Sequence, residues 1–182
     1  MTVASILQQK FQVKPRFVEK DDVRFILKLR TNTKLSRYLS TTVDDVKIQE
    51  EWIAKYKERE HLKQEFYFIF QNENGDKFGV SRIYNLDAVS FEIGSWLFAQ
   101  NSPEGISILA DLFTRDYAFQ NIPNMGYCRF EVRKENKSVV NYHKWFKPEL
   151  VGEDELNYYF RLSKEDYLKV RNILTNMYTN GN

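Results

Sequence analysis

The feature that most constrains the fold is a strong helical pattern over residues 104–119, with a strand pattern on each side of it. FEIGSWLF at 91–98 is a short apolar run of the kind found in buried strands. YCRFEVR at 127–133 alternates polar and apolar residues, as a half-buried strand does. The segment between them carries apolar side chains at helical spacing: Ile106, Leu109, Ala110, Phe113 and Tyr117. A strand, a helix and a second strand in this order predict a domain in which helices pack against a sheet.

The same alternation continues on both sides of this unit. The elements predicted before it are a strand at 15–20, a helix beginning near Asp21 or Asp22, a helix at about 43–60, and a hairpin at 66–84. Those predicted after it are a helix at 136–146, a strand at 157–162, and a last helix that starts at the capping pattern Ser163-x-x-Asp166. The order is therefore β-α-α-β-β-β-α-β-α-β-α, an α/β (α+β) fold with a mixed central sheet. We expect one domain over 1–182, with an N-terminal extension at 1–14 and a frayed end at 176–182.

Composition excludes several classes of function. Apolar residues make up 42% of the 182 positions and aromatic residues 15%, enough to bury a core. The net charge is only +2 and the two signs are interspersed, so we expect no nucleic-acid partner. Cys128 is the single cysteine, which excludes an internal disulfide and disfavours a zinc site, so we expect no metal. Without a long apolar run or a signal-like start, we expect a cytoplasmic protein with no membrane partner.

The block from Phe91 to Pro148 carries a resemblance to a known family. In chain order, FEIGSWLF, SPEGISILADLFTRDYAF, YCRFEVRKEN and NKSVVNYHKWF are similar to the core of the GNAT acetyltransferases. The resemblance covers roughly residues 15–162. It implies a GNAT-like sheet, acetyl-CoA as co-substrate, and transfer of the acetyl group to a primary amine of a small molecule. Lys147-Pro148 stands where the family usually has Gly-Phe, although the proline still ends the helix.

Within the family, the strand and the later helix look similar to acetyltransferases of amino sugars carried on nucleotides. The branch that acetylates protein N-terminal amines fits as well, and so does a GNAT-like module that binds a partner without catalysis. A homodimer also stays open. Dinucleotide and P-loop phosphate binding are disfavoured, because neither glycine motif is present.

The turn before the helix at 104–119 is the predicted pyrophosphate site. A helix N-terminus offers unpaired N–H groups and a partial positive charge, which suit the pyrophosphate of coenzyme A. Family members usually show Arg or Gln, two residues, Gly, one residue, then Gly or Ala; here the spacing is longer, and an ordinary strand-to-helix turn is the alternative. The predicted cofactor-binding residues are Trp96, Leu97, Phe98, Gln100, Gly105, Ile106 and Asn136.

The resemblance also implies the catalytic residues. In the family, the helix that often begins with Asn carries a Tyr near the thioester sulfur seven residues later, and here His143 follows Asn136 at that spacing. Imidazole titrates near neutral pH, so His143 is predicted as the acid, with Tyr142 as the candidate if the register differs by one. Glu92 is predicted as the base that takes a proton from the ammonium group. The alternatives are a structural histidine and cross-strand ion pairing of Glu92.

Arg30 and Asn32 are the predicted acceptor-binding residues. They follow the first helix of the core, and in the family the segment between the first two helices borders the acceptor pocket. An arginine there suits a phosphate or carboxylate on the acceptor. The alternative is that both residues only cap the end of the helix.

Overall fold

A computed structural model describes residues 1–180. Its helices are α1 (Val3–Phe11), α2 (Val23–Thr31, preceded by a 3₁₀ turn at Lys20–Asp22), α3 (Val46–His61), α4 (Ile106–Asn121), α5 (Lys137–Lys144) and α6 (Lys164–Asn180). Its strands are β1 (Val13–Phe17), β2 (Phe66–Asn72), β3 (Lys77–Tyr84), β4 (Ser90–Phe98), β5 (Tyr127–Arg133), β6 (Glu149–Glu153) and β7 (Asn157–Ser163).

The strands form one mixed sheet in the order β1-β2-β3-β4-β5-β7-β6. Every neighbouring pair is antiparallel except β4 and β5, which run parallel and are joined by α4. The predicted mixed α/β fold is therefore confirmed. Parallel neighbours need such a crossover, and the 104–119 pattern correctly predicted its helix.

The sequence analysis did not predict two of the elements, helix α1 and strand β6. Residues 1–14, expected to be an extension, form α1 and the start of β1. Thr2 caps α1, and Val3, Ile6 and Leu7 are buried in the main core, so this segment is part of the packed domain. Strand β6 lies at the sheet edge with Leu150 and Val151 exposed, and its segment lacks the alternation that marks a half-buried strand.

The C-terminal helix begins as the capping pattern predicted. The Ser163 hydroxyl oxygen accepts from the Asp166 N–H at 3.1 Å. Helix α6 continues through 176–180, part of the stretch predicted to fray, whereas 181 and 182 lie outside the described residues.

The helices form unequal layers on the two faces of the sheet. One face packs on α1, α4, α5 and α6 and contains the main core. The other packs on α2 and α3, which form a smaller core with Tyr67, Ile69, Val80 and Leu97. Among the described residues, no β5 residue belongs to this smaller core, and Leu97 is its one β4 member. None of the described helices is long and apolar enough to span a bilayer.

Candidate active site

The central feature of the site is a gap between the two parallel strands. β4 and β5 pair only from Ser90 to Glu92 and then diverge. Three residues further on, Ser95 adopts a φ of 49°. The pairing of β4 with β3 also shifts there. Between two paired positions, β4 has two residues, Ser95 and Trp96, whereas β3 has only Ser81. Such a bulge bends the strand, so β4 leaves β5 and a cleft opens between them.

The cleft is walled by both strands and closed by helices. β4 contributes Ile93 to Trp96, β5 contributes Phe130 to Arg133, and Asp111 of α4 lies at its base. Tyr38 and Leu39, from the connection between α2 and α3, border it on the other face of the sheet. Where β4 has lost its β5 partner, its backbone N–H and C=O groups on that side are free to bind an extended ligand.

The N-terminus of α4 fits a pyrophosphate through its backbone. Gly105 occupies the N-cap with a φ of 86°, and no side chain caps the helix. A Cβ atom at this position would lie 2.7 Å from the Tyr178 ring, so the turn requires glycine. No lysine or arginine lies between 99 and 108, and Glu104 is acidic. The attraction for an anion at this turn therefore comes from the helix N–H groups.

The predicted cofactor residues divide according to where their side chains lie. Trp96 lines the cleft, and its Nε1–H donates to the Ser107 carbonyl at 2.9 Å, which ties β4 to the first turn of α4. Asn136 lines the cleft and caps α5. Leu97 packs into the α2–α3 core and Phe98 against Phe70, so neither side chain faces the cleft. Gln100 is exposed in the loop, and the side chain of Ile106 is buried.

His143 borders the cleft as part of a buried polar network. The network consists of Arg115 and Asp111 from α4, Cys128 from β5, and Tyr142 and His143 from α5. Arg115 is fully buried and contacts three partners: its Nε donates to Asp111 Oδ2 at 2.9 Å, its Nη1 lies 3.2 Å from Cys128 Sγ, and its Nη2 lies 3.3 Å from His143 Nδ1.

This environment changes the protonation expected of the two predicted acids. Burial, and then the charge of Arg115, lower the pKa of His143 to about 3, so its imidazole is neutral near pH 7. The Tyr142 hydroxyl donates to Asp111 Oδ2 at 2.8 Å. Burial and the Asp111 carboxylate raise the pKa of Tyr142 well above its usual value. The expectation that His143 titrates near neutrality therefore does not match the structure.

The carboxylates of Glu92 on β4 and Glu131 on β5 differ in their partners. Glu92 accepts from the Tyr84 hydroxyl at 2.7 Å and from Asn85 Nδ2 at 3.0 Å, and it does not line the cleft. Glu131, on β5 beyond the last β4–β5 pair, does line the cleft. Glu131 has no ion pair among the residues that the structure describes. Glu131 therefore lines the cleft together with Asp111, whereas the predicted Glu92 does not.

A second cavity, of about 330 Å³, adjoins the cleft at the bulge. Its volume is in the range of small-ligand sites. Arg30 and Arg82 both line it, and Ser95 lines this cavity and the cleft alike. Arg30 donates from Nε to Thr42 Oγ1 at 2.7 Å, and its Nη2 lies 3.4 Å from Ser40 Oγ. Arg82 lies between the Trp52 and Tyr84 rings and is paired with Glu65.

Two buried polar side chains also line this second cavity. Tyr67 and Gln49 are 1% and 7% exposed. Burial raises the pKa of Tyr67 to about 12, so its hydroxyl is a hydrogen-bond donor at neutral pH. Asn32, in contrast, lines neither this cavity nor the cleft: its Oδ1 accepts from the N–H groups of Lys34 and Leu35 within its own loop.

The sequence analysis did not select several residues of the site, and only some of them have a sequence pattern that could have identified them. Asp111 and Arg115 stand four apart on a helix with apolar residues on several sides, a spacing that indicates a paired charge inside the domain. Arg82 and Glu131 are charged residues within strands and gave no signal for their positions, Arg82 at the second cavity and Glu131 at the cleft.

Comparisons with known proteins agree with this geometry. The family model described as an acetyltransferase (GNAT) domain matches residues 16–146. The chain is similar to the apo structure of FdhC, a nucleotide-linked sugar GNAT, with 30% identity and a TM-score of 0.80 over 90% of this chain and 93% of that one. It is also similar in fold to the spermidine N-acetyltransferase of Vibrio cholerae in complex with CoA and spermine, with 19% identity and a TM-score of 0.72 over 86% and 98%. No curated protein sequence matches.

Proposed function

This chain belongs to the GNAT acetyltransferase family and is an acyl-CoA-dependent acetyltransferase, and we propose that its acceptor is a primary amine on a nucleotide-linked sugar. The observation that carries the proposal is the cavity lined by Arg30 and Arg82, which meets the cleft at Ser95. An acceptor with its amine at the bulge would place an anionic portion between the two guanidinium groups. The alternatives of N-terminal acetylation and of a non-catalytic module are not favoured by the comparisons.

The charge of this cavity supports an anionic acceptor over a polyamine. Arg30 uses only part of its donors, on neutral hydroxyls, and Arg82 pairs with a carboxylate that Arg59 also neutralises. The cavity therefore keeps a net positive character, which attracts phosphate and repels a polycation such as spermidine. Tyr67 and Gln49 would add neutral hydrogen bonds to a phosphate or to the sugar.

The cleft between β4 and β5 fits the acyl donor. Acetyl-CoA supplies an activated thioester. The free N–H groups at the start of α4 would bind its pyrophosphate, and the unpaired backbone of β4 near the bulge would bind its extended arm and polarise the thioester carbonyl. Asn136 and Trp96 line the same cleft.

Glu131 would receive the proton of the amine, and His143 would donate a hydrogen bond to the leaving sulfur. Only a neutral amine attacks a thioester, and Glu131 is the carboxylate at the cleft that could receive the ammonium proton, directly or through water. Its neighbour Glu92, the base predicted from sequence, has both oxygens engaged by Tyr84 and Asn85. His143 borders the cleft from α5, on the side of the predicted leaving sulfur.

A panel of acceptors tests the proposal. Release of the free CoA thiol is measured with a nucleoside-diphosphate amino sugar, the same amino sugar without its nucleotide, spermidine, and a peptide with a free N-terminus. We expect the nucleotide-linked sugar to give the highest kcat/KM. The free sugar should be about 10- to 100-fold poorer, because it loses charged hydrogen bonds to Arg30 and Arg82. Faster acetylation of spermidine or of the peptide would overturn the proposal.

A further inference from the structure

The fully buried Arg115 lies one side chain behind the cleft, with His143 between them. We infer that Arg115 and Asp111 are positioning residues that hold His143 as the neutral tautomer with its proton on Nε2, which is presented to the cleft as a hydrogen-bond donor to the leaving sulfur. This inference rests on the proposed acyl-donor site, but not on the identity of the acceptor.

The choice of tautomer follows from what each group can donate. A guanidinium has five N–H donors and no acceptor. Arg115 Nη2 lies 3.3 Å from His143 Nδ1, so Nδ1 is the acceptor and the ring proton must be on Nε2. Arg115 is held in place by Asp111, whose Oδ2 accepts from Arg115 Nε at 2.9 Å. The rings of Phe130 and Phe146 lie within 5.4 Å of the guanidinium. Arg115 therefore has little freedom to turn away from the imidazole.

The other ring nitrogen is available to a ligand. Within residues 1–180, no hydrogen bond is formed by His143 Nε2, although the ring is only 4% exposed. The ring packs 4.3 Å from Phe130 and 6.1 Å from Trp96, both of which line the cleft. Nε2 is not one of the buried side-chain atoms that lack a partner in the described chain, so it keeps some accessible surface and can donate to a ligand in the cleft.

The surrounding charges keep the ring neutral. Arg115 is the cation nearest to the ring, and Asp111 is the carboxylate of the network, whose charge acts in the opposite direction. Cys128 and Tyr142 stay protonated near pH 7, because burial raises the pKa of the thiol to about 12 and that of the phenol well above its usual value. Burial and Arg115 together outweigh Asp111, so His143 does not become an imidazolium at the pH of the reaction.

A neutral donor changes the role of His143 in the reaction. When the carbon–sulfur bond breaks, the electron pair stays on sulfur, and His143 stabilises that charge by a hydrogen bond without giving up its proton. The proton lost by the amine goes to Glu131 or water, and the thiolate takes a proton from solvent. Neutral Nε2–H next to a cation at Nδ1 is a stronger donor than an isolated imidazole, because Arg115 withdraws electron density from the ring.

The first experiment observes the tautomer in the wild-type protein without any ligand. The chain has two histidines, and ¹⁵N-labelled histidine with the His61→Gln variant assigns the signals of each. We expect His143 to show the Nε2–H pattern unchanged from pH 5.5 to 8. Titration of His143 in this window, or an Nδ1–H pattern, would overturn the inference. This result is independent of the acceptor panel.

The second experiment replaces the positioning residue conservatively. Arg115→Lys keeps a charge for Asp111, but a single ammonium cannot reproduce the fork that contacts both Asp111 and His143. We expect the Nε2–H pattern to be lost and kcat to fall about 10- to 100-fold, the range typical when a histidine loses its orienting partner, while KM for acetyl-CoA stays unchanged.

Arg171→Lys is the matched control for this variant. Arg171 on α6 pairs with Asp116, which like Asp111 is on α4. Arg171 lines neither the cleft nor the acceptor cavity. It should lower stability without changing kcat per folded molecule. Equal kcat values for both variants would mean that Arg115 has only a structural role. If Arg115→Lys does not fold, the wild-type spectra still decide the matter.

Discussion

The arginines on the two faces of the sheet are used in opposite ways. On the α4 face, Arg115 is fully buried and each of its three nitrogens contacts a protein group. On the α2–α3 face, Arg30 and Arg82 remain partly accessible beside a cavity and keep donors free. A cation with all its partners inside the protein orients its neighbours, whereas one with unused donors at a cavity is available to a ligand. Mutations should therefore separate into losses of stability and losses of substrate binding.

The largest expected effect is at the buried arginine. Arg115→Leu leaves the carboxylate of Asp111 buried with only the Tyr142 hydroxyl to compensate it. We expect the free energy of unfolding to fall by about 3–5 kcal/mol, measured by urea denaturation. Replacing Asp111 by Leu in the same chain should restore part of the loss. A decrease below about 1 kcal/mol would mean that the ion pair of Arg115 contributes little to stability. The buried arginine would then not differ in role from the arginines beside the cavity.

A smaller effect, on binding alone, is expected at the open arginine. Arg82→Gln removes the positively charged guanidinium from the acceptor cavity, and Glu65 stays paired with Arg59. We expect kcat/KM for the nucleotide-linked acceptor to fall by about 10- to 100-fold, with unfolding energy and KM for acetyl-CoA nearly unchanged. Steady-state kinetics at two salt concentrations measure this effect. If the variant instead loses mainly stability, Arg82 has a structural role like that of Arg115.

The smallest effect is expected at Tyr142. Its hydroxyl donates into the network to Asp111, so Tyr142→Phe should cost about 1–2 kcal/mol of stability and leave kcat unchanged. The measurement pairs thermal unfolding with steady-state kinetics. A strong loss of kcat in a stable variant would instead mean that Tyr142, and not its neighbour His143, acts at the leaving sulfur.

The sequence predicted local features of the site better than its chemistry. Asn136 caps α5 and Gly105 occupies the N-cap of α4, positions that depend on a few adjacent residues, while their roles in cofactor binding stay predictions. The choice of Glu92 as the cleft carboxylate did not agree with the structure. On a strand, Glu92 and Glu131 give the same local signal, and only the point at which β4 leaves β5 separates them.

By itself, the sequence determined the order of the helices and strands from β1 to α6 apart from β6, the helix between β4 and β5, and the spacing that brings His143 to the face of α5 nearest the sheet. These depend on hydrophobic periodicity, which is a property of short segments. The tertiary structure alone decided that His143 is neutral and that two arginines meet beside the cleft. Protonation depends on desolvation and on charges such as Arg115, 28 residues from His143, and only the packed core brings them into contact.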